Sequence, residues 1–472
     1  MIIKKAKFAS GLKLKENKLT EHFSIETIPI LPSKVILPLQ QHLGRSCDLL
    51  VKRGDTVKTG QLIGDLDSFV SAPVHSPVTG TIKSIYKLVN PLSNSIVDAV
   101  EITPESEDNF EYIKVNEKVE EIKNDILKFG NSDSLIENYF VKNIRNIIEK
   151  INFINNEEII SIVRRAGIVG LGGATFPTHV KLSPPKDKKI DTLIINGCEC
   201  EPYITSDHRI MLEYGAQVLI GSYIIYKVLL PENVFIAIED NKLDAMKHLD
   251  EIIRLAGLDN KFKIVSLKSR YPMGAEKILI NNVLNRKVPV GGLPLDVGVV
   301  VNNVGTAKAI SDALIKGIPL IERVLTVTGE VEEPKNIKVR IGTPTSEILS
   351  YCKMKKWGKD NKEAKKIIFG GPMMGNIVVN EDFPITKAVN CILVMAALPL
   401  KEGNCIRCGR CVNICPMNLT PLNYVNFVKK NRFELCNEYH ILNCIECGSC
   451  AYVCPSSIPI VGYIKTGKSF LS

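Results

Sequence analysis

Two apolar runs stand out along the chain, each closed by polar residues. In DTLIINGCECEPYITSDHR, the run from Thr192 to Ile195 ends at Asn196, with Glu199 and Glu201 just beyond. In DVGVVVNNVGTA, the valines give way to Asn302, Asn303 and Thr306. Both runs read as buried strands, and polar residues at the carboxyl end of such a strand are where open α/β sheets bind ligands. Elsewhere the pattern changes. Residues 51–82 read as short strands punctuated by Gly54, Gly60, Gly64, Pro73, Pro77 and Gly80, a compact β domain. Residues 105–127 are charge-dense and read as a linker entering a helix. Residues 322–380 carry β signals (VLTVTGEV, IKVRIG) and the turn Gly370-Gly371-Pro372. Residues 416–443 read as helical around NYVNFVKKNRFELCNEY.

Length and charge narrow the picture. At 472 residues the chain is too long for one ordinary domain, and three or four are expected. Apolar residues make up 45% and charged residues 24%, which excludes a disordered or collagen-like protein. The apolar stretch Ala388 to Leu400 spans 13 residues, short of the roughly 20 a membrane span needs. The opening MIIKKAKFASG has basic residues but no apolar core, so no secretory signal is expected. A soluble cytosolic chain, with any membrane role reached through partners, is the expectation. The net charge of +9 is mild over this length, and no basic block with interleaved aromatics suggests nucleic-acid binding.

Cysteine placement is more telling. Cys405, Cys408, Cys411 and Cys415 precede Pro416, and Cys444, Cys447, Cys450 and Cys454 precede Pro455. Both runs are C-x2-C-x2-C-x3-C-P, and each cysteine of the first recurs 39 residues later. This duplicated run is the two-cluster ferredoxin pattern, in which the fourth cysteine of each run ligates the other cluster. One 4Fe–4S cluster is therefore expected on Cys405, Cys408, Cys411 and Cys454, the other on Cys444, Cys447, Cys450 and Cys415. Structural zinc, held by two ligand pairs, does not account for the doubled run and its prolines. Cys436 lacks partner spacing and reads as a packed core thiol.

Four glycine- or asparagine-bearing segments follow one another: GLGGATFPTHVK, with Gly170, Gly172 and Gly173; NGCECEPY; YPMGAEK; and VNNVGTA. Each alone could be plain sheet-to-loop architecture. Together they suggest one nucleotide-sized cofactor across the strand ends.

This set resembles the FMN- and NADH-binding subunit of respiratory complex I. It resembles more closely the C subunits of the Rnf complex, the membrane-bound ion-translocating ferredoxin:NAD+ oxidoreductase. That likeness runs from about residue 26 to 465 and includes LPLQQHLG, FVSAPVHSPVTG, LTVTGEVEEPKN, FGGPMMG and both cysteine runs. The resemblance implies that Gly170, Gly172 and Lys181 lie at the FMN phosphate and ring, and Asn196 and Glu199 at the ring and ribityl chain. It implies Tyr271, Gly274 and Glu276 in a loop over flavin and nicotinamide, and Asn302, Asn303 and Thr306 at the phosphate end. Phe176 and Glu201 match positions that contact the dinucleotide. Leu171, Thr175, Cys198 and Ala275 depart from the complex I pattern.

The expected architecture is multidomain α/β. A barrel-sandwich hybrid (1–104), resembling biotinyl and lipoyl carriers, leads through a charged linker and helix (105–130) to a Rossmann-like FMN/NADH domain (131–315). A small ubiquitin-like domain of SLBB type (316–395) and a two-cluster ferredoxin domain (396–472) follow. The carrier hairpin tip, Asp65-Leu-Asp-Ser-Phe-Val70, has no lysine to modify, so docking is preferred to a swinging arm. His42 and His75 read as structural, and Met373 and Met374 as packing residues. NADH delivers two electrons and a cluster takes one, which makes FMN the adapter between them. The implied role is the peripheral, cytoplasmic-face NADH-side subunit of an electron-transport complex. It would work with other Rnf subunits and reach ferredoxin through one of them, coupled to Na+ or H+ movement. Two alternatives remain open here: a soluble relative passing NADH electrons to a reductase such as proline reductase, and an iron–sulfur docking subunit without catalysis.

Overall fold

The computed structural model describes residues 2–4, 11–90, 95–130, 132–355, 365–396 and 401–471. The long apolar runs form a five-stranded parallel sheet. Its order is Ile2–Lys4, Phe262–Leu267, Asn233–Glu239, Thr192–Gly197, Val299–Asn303. The strand Thr192–Gly197 is buried on both faces, as a parallel strand under helices must be. From it the chain winds outward through the 233 and 262 strands, then returns to its other side with Val299–Asn303. This reversal is a topological switch point, where open α/β sheets form their ligand crevice. Asn196 and Asn303 stand side by side there in register.

Helices cover both faces of the sheet. The helix Gly215–Leu229 is apolar nearly all round and accordingly buried. Gly221 lets it lie directly on the helix Val304–Ser311, since a Cβ at 221 would overlap the Ala307 carbonyl. The helix Asp133–Asn152 turns Phe140, Ile144, Ile147 and Ile151 inward at helical spacing. The charge-dense segment enters the helix Glu117–Leu127, capped by Asn116.

The N-terminal β domain consists of two small sheets. One orders Val35–Pro38, Ile96–Pro104, Gly80–Val89 and Thr56–Val57, the other Asp48–Leu49, Leu62–Asp65 and Val74–His75. One continuous apolar core runs from this domain into the parallel-sheet domain. The hairpin tip is docked rather than free. Arg164 donates to Asp65 Oδ1 at 2.8 Å and to the Leu66 carbonyl at 2.9 Å, and His179 Nε2 lies 2.9 Å from the Phe69 carbonyl. His42 and His75 are buried, and burial holds both below the usual imidazole range, to about 4 and about 3.

A six-stranded mixed sheet follows, ordered Asn376–Val378, Lys365–Phe369, Cys391–Ala396, Glu322–Gly329, Lys335–Arg340, Ile25–Thr27. The apolar stretch from Ala388 supplies the Cys391–Ala396 strand, while residues 397–400 lie outside the described residues. Both early strands, Ile2–Lys4 and Ile25–Thr27, therefore belong to other sheets than the β domain they precede. Buried Lys387 ties three units together: its ammonium donates to the carbonyls of Pro73 and Gly167, each at 2.7 Å. Burial lowers its pKa to about 8.

The C-terminal domain repeats its backbone as well as its cysteines. Left-handed residues recur 39 apart: Arg407 and Glu446, Gly409 and Gly448, Asn418 and Ser457. The helices Pro421–Lys429 and Ile460–Ser469 start at the same offset. The segment expected to be helical breaks at left-handed Asn431, between Pro421–Lys429 and Phe433–Glu438. Cys436 is fully buried in this domain's core.

Candidate redox centre: a flavin crevice and two thiol cavities

The glycine-rich loop arches over the end of the Val299–Asn303 strand. Thr306 Oγ1 accepts from the Leu171 N–H at 2.9 Å, and Arg323 donates to the Leu171 carbonyl at 2.8 Å. Thr175 holds the left-handed conformation, φ 49°, that closes the loop. Its carbonyl accepts from Leu43 N–H at 3.1 Å and its own N–H bonds to Gly170, so the β domain braces the loop. Gly172 and Gly173 are exposed on the free side. A Cβ at 172 would meet nothing closer than Asn303 Cβ at 3.6 Å, and one at 173 nothing within 4 Å. The crevice therefore has room that no protein atom fills.

Beneath the loop, Asn303 caps the helix Val304–Ser311. Its Oδ1 accepts from Gly305 N–H at 2.8 Å while its Nδ2 donates to Asp207 at 2.7 Å. A helix N-terminus of this kind favours phosphate. Asn302 is buried, and its Nδ2 has no hydrogen-bond partner. A buried amide left unpaired costs about 1–3 kcal/mol. These features fit FMN with its phosphate at the Asn302–Thr306 end.

Most of the other expected residues lie around the same crevice, with Glu201 turned away from it. Lys181 Nζ donates to Glu276 at 3.0 Å and to the Val301 carbonyl at 2.9 Å. Asn196 donates to the Gly274 carbonyl at 3.0 Å, so the strand end holds the YPMGAEK loop. Phe176 acts through its backbone, its carbonyl accepting from Gly170 N–H at 2.8 Å. Glu199 is buried and accepts from the Asp207 N–H at 2.7 Å. Burial first, then the neighbouring Glu199, pushes the Asp207 carboxyl up to about 7. Glu201 is turned toward the six-stranded sheet: its carboxylate accepts from the N–H groups of Met373 at 3.2 Å and Met374 at 2.8 Å.

Residues not singled out in the sequence complete the site. Lys18 buries its ammonium against the carbonyls of Glu199 (2.9 Å), Glu201 (3.2 Å) and Ile204 (2.5 Å), fixing the loop after the strand Thr192–Gly197. Burial, then Lys242, lowers the Lys18 pKa. Lys242 in turn pairs with buried Glu239 at 3.0 Å. Nothing in the local sequence around Lys18 or Arg323 marks them, because their partners lie far along the chain.

The cysteines sort into two cavities. Cys405, Cys408, Cys411 and Cys454 line one. Cys415, Cys444, Cys447 and Cys450 line the other. The fourth cysteine of each run thus sits with the first three of the other. Among the described residues no three His, Cys, Asp or Glu groups converge closely enough to hold one metal ion. Thiols spaced around a cavity suit a polynuclear cluster, whose irons each take one thiolate. Tyr271 joins the two centres: its hydroxyl donates to the Cys447 carbonyl at 2.6 Å. The cavity containing Cys405 lies outward, with Cys405 and Cys408 exposed.

This combination defines a flavin–iron–sulfur electron-transfer protein, and family models agree. Residues 163–312 match the Nuo51 FMN-binding domain, 6–107 the RnfC barrel sandwich hybrid domain, and 404–458 a 4Fe-4S dicluster domain. The chain is 44% identical to the C subunit of the proton-translocating ferredoxin:NAD(+) oxidoreductase complex of Clostridium ljungdahlii, over 90% of this chain and 85% of that one. It is 38% identical to the C subunit of the Na(+)-translocating ferredoxin:NAD(+) oxidoreductase complex of Acetobacterium woodii, over 86% and 83%. A solved NAD+-reducing NiFe hydrogenase superposes with a TM-score of 0.48 at 16% identity, covering 69% of this chain and 62% of the other. The chain belongs to the family of C subunits of ion-translocating ferredoxin:NAD+ oxidoreductase complexes. Among the described residues no helix is long and apolar enough to cross a membrane.

Proposed function

We propose that this chain is the NADH-side subunit of a membrane-bound complex that exchanges electrons between ferredoxin and NAD+, coupled to H+ or Na+ movement. It sits peripherally on the cytoplasmic face, held by other subunits, and reaches ferredoxin through one of them. FMN, when bound, supplies the step between hydride and single-electron chemistry. The chain's own residues then have separable tasks. Gly170, Gly172 and Gly173 leave space for the flavin, and Asn302, Asn303 and Thr306 anchor its phosphate. Asn196, Gly274 and Tyr271 hold the covering loop, and Lys181 with Glu276 closes the crevice side. Cys415, Cys444, Cys447 and Cys450 hold the cluster nearer the flavin. Cys405, Cys408, Cys411 and Cys454 hold the outer one, from which electrons pass to a partner. The six-stranded sheet, with its helix Thr345–Tyr351, is read as a ubiquitin-like domain of SLBB type. Its parallel pairing of Glu322–Gly329 with Cys391–Ala396 supports this.

The observation that carries the reading is the Tyr271–Cys447 hydrogen bond, which joins the flavin-side loop to a cluster-bearing loop. Anaerobic purification tests it. About eight irons with matching sulfide, one FMN, and bleaching of both chromophores by NADH are expected. Zinc in place of iron, or clusters that NADH reduces without flavin, would sink the proposal.

A further inference from the structure

Two protein bridges cross from the crevice to the inner thiol cavity. One is Tyr271 to Cys447. The other begins at Glu201. Each of its carboxylate oxygens accepts one N–H, Oε2 from Met373 and Oε1 from Met374, and the Tyr271 hydroxyl bonds to the same carboxyl. Gly371 allows this, because a Cβ there would overlap Glu201 Oε2. The same turn is the bed for the cluster loop. Gly448, left-handed at φ +76°, lies so close that its Cβ would stand 2.7 Å from the Met373 carbonyl oxygen. The chain of contact is thus Glu201, the 371–374 turn, Gly448, and the adjoining ligand Cys447. Residue 201 comes from the flavin-type domain, the turn from the six-stranded sheet, and Gly448 from the ferredoxin-type domain.

We propose that Glu201 is a positioning residue for flavin-to-cluster transfer rather than a contact of the dinucleotide. It fixes the turn on which the Cys447–Gly448 segment rests, and so sets the separation between flavin and inner cluster. This inference rests on the function proposed above. The two backbone N–H groups hold the carboxyl at both oxygens and, with Lys18 and Tyr271, counter the burial that pushes it up to about 7. Its loss frees the turn while leaving Gly170 to Thr175 and Asn302 to Thr306 untouched.

The test uses the full chain carrying FMN and clusters, as wild type, Glu201→Ala, Glu201→Gln and Gly371→Ala. Stopped-flow mixing with NADH follows flavin reduction and cluster bleaching separately. Hydrogen exchange at residues 371–374 is read on the same proteins. In Glu201→Ala and Gly371→Ala, exchange at the turn should rise and cluster bleaching should slow at least tenfold. The flavin reduction rate and its dependence on NADH concentration should stay within twofold. Glu201→Gln, with one acceptor oxygen left, should fall between. If Glu201→Ala loses flavin or iron, Glu201→Gln and Gly371→Ala decide the matter. A tenfold rise in the NADH needed for half-maximal flavin reduction, with bleaching keeping pace, would make Glu201 a dinucleotide contact and overturn the proposal. Unchanged exchange and unchanged bleaching would overturn it equally. A wild type that NADH does not reduce would instead refute the underlying function.

Discussion

Replacing Gly172 by alanine separates what the protein needs from what its ligand needs. The added methyl would meet only the Asn303 side chain, at 3.6 Å from its Cβ, which is ordinary van der Waals contact. Gly172 is not among the glycines with positive φ, so no backbone strain is added. The flavin-free fold should therefore tolerate the change. Lost freedom in the unfolded chain even favours the variant by about 0.4–1 kcal/mol. In the proposed site the methyl would occupy the space left for the flavin. FMN affinity should fall at least a hundredfold, or about 2.7 kcal/mol. Wild type at a hundredfold excess of FMN over its Kd gains about 2.7 kcal/mol of stability, and the variant at the same FMN concentration should gain about 0.4 kcal/mol or less. The assay is a pair of melts, with and without FMN, plus titration by flavin fluorescence. Gly173→Ala is the control from the opposite direction: its φ of +113° makes any side chain strained, so it should destabilise even the flavin-free protein. The reasoning fails if Gly172→Ala binds FMN like wild type, because the flavin then does not approach this loop.

Three further outcomes are expected. Cys454→Ser should damage the cluster bound by Cys405, Cys408 and Cys411, and Cys415→Ser the other; spectra showing damage within the mutated run would disprove interleaving. Gly221→Val drives a side chain into the Ala307 carbonyl. It should cost about 3 kcal/mol in denaturant unfolding and weaken FMN by displacing the Asn303-capped helix. Burial raises the Asp312 carboxyl, but Lys308 and Lys316 more than offset this and hold it at about 2, against 3.8 unperturbed. Its contribution is therefore present above pH 3.8 and lost as pH falls toward 2. Asp312→Asn should cost about 2 kcal/mol at neutral pH and flatten that part of the acid profile, read by melts across pH.

The switch-point strands and the crossing of cysteines between runs were legible because each is written in local pattern. An apolar run closed by asparagine needs no distant partner to be read, and a duplicated spacing carries its own register. Lys18, Arg323 and Lys387 were not legible. Each acts on backbone carbonyls contributed by residues more than a hundred positions away, and a carbonyl has no sequence signature. The broken helix at Asn431 escaped for the opposite reason: its left-handed turn is one residue in an otherwise helical composition. Glu201 was read from likeness as a dinucleotide contact; the structure adds what no local pattern shows, that its carboxylate accepts from the Met373 and Met374 N–H groups.

The early strands carry a consequence for how the chain is made. Among the described residues, Ile2–Lys4 pairs only with Phe262–Leu267, and Ile25–Thr27 only with Lys335–Arg340. At roughly 5–20 residues per second, a ribosome delivers those partners tens of seconds after the strands emerge. During that interval both segments present open hydrogen-bonding edges, which invite pairing with other nascent chains. The β domain folds between them on local contacts while its two flanking strands wait. Assembly of both sheets thus waits on strands made much later than the segments that edge them, and slow translation prolongs that wait.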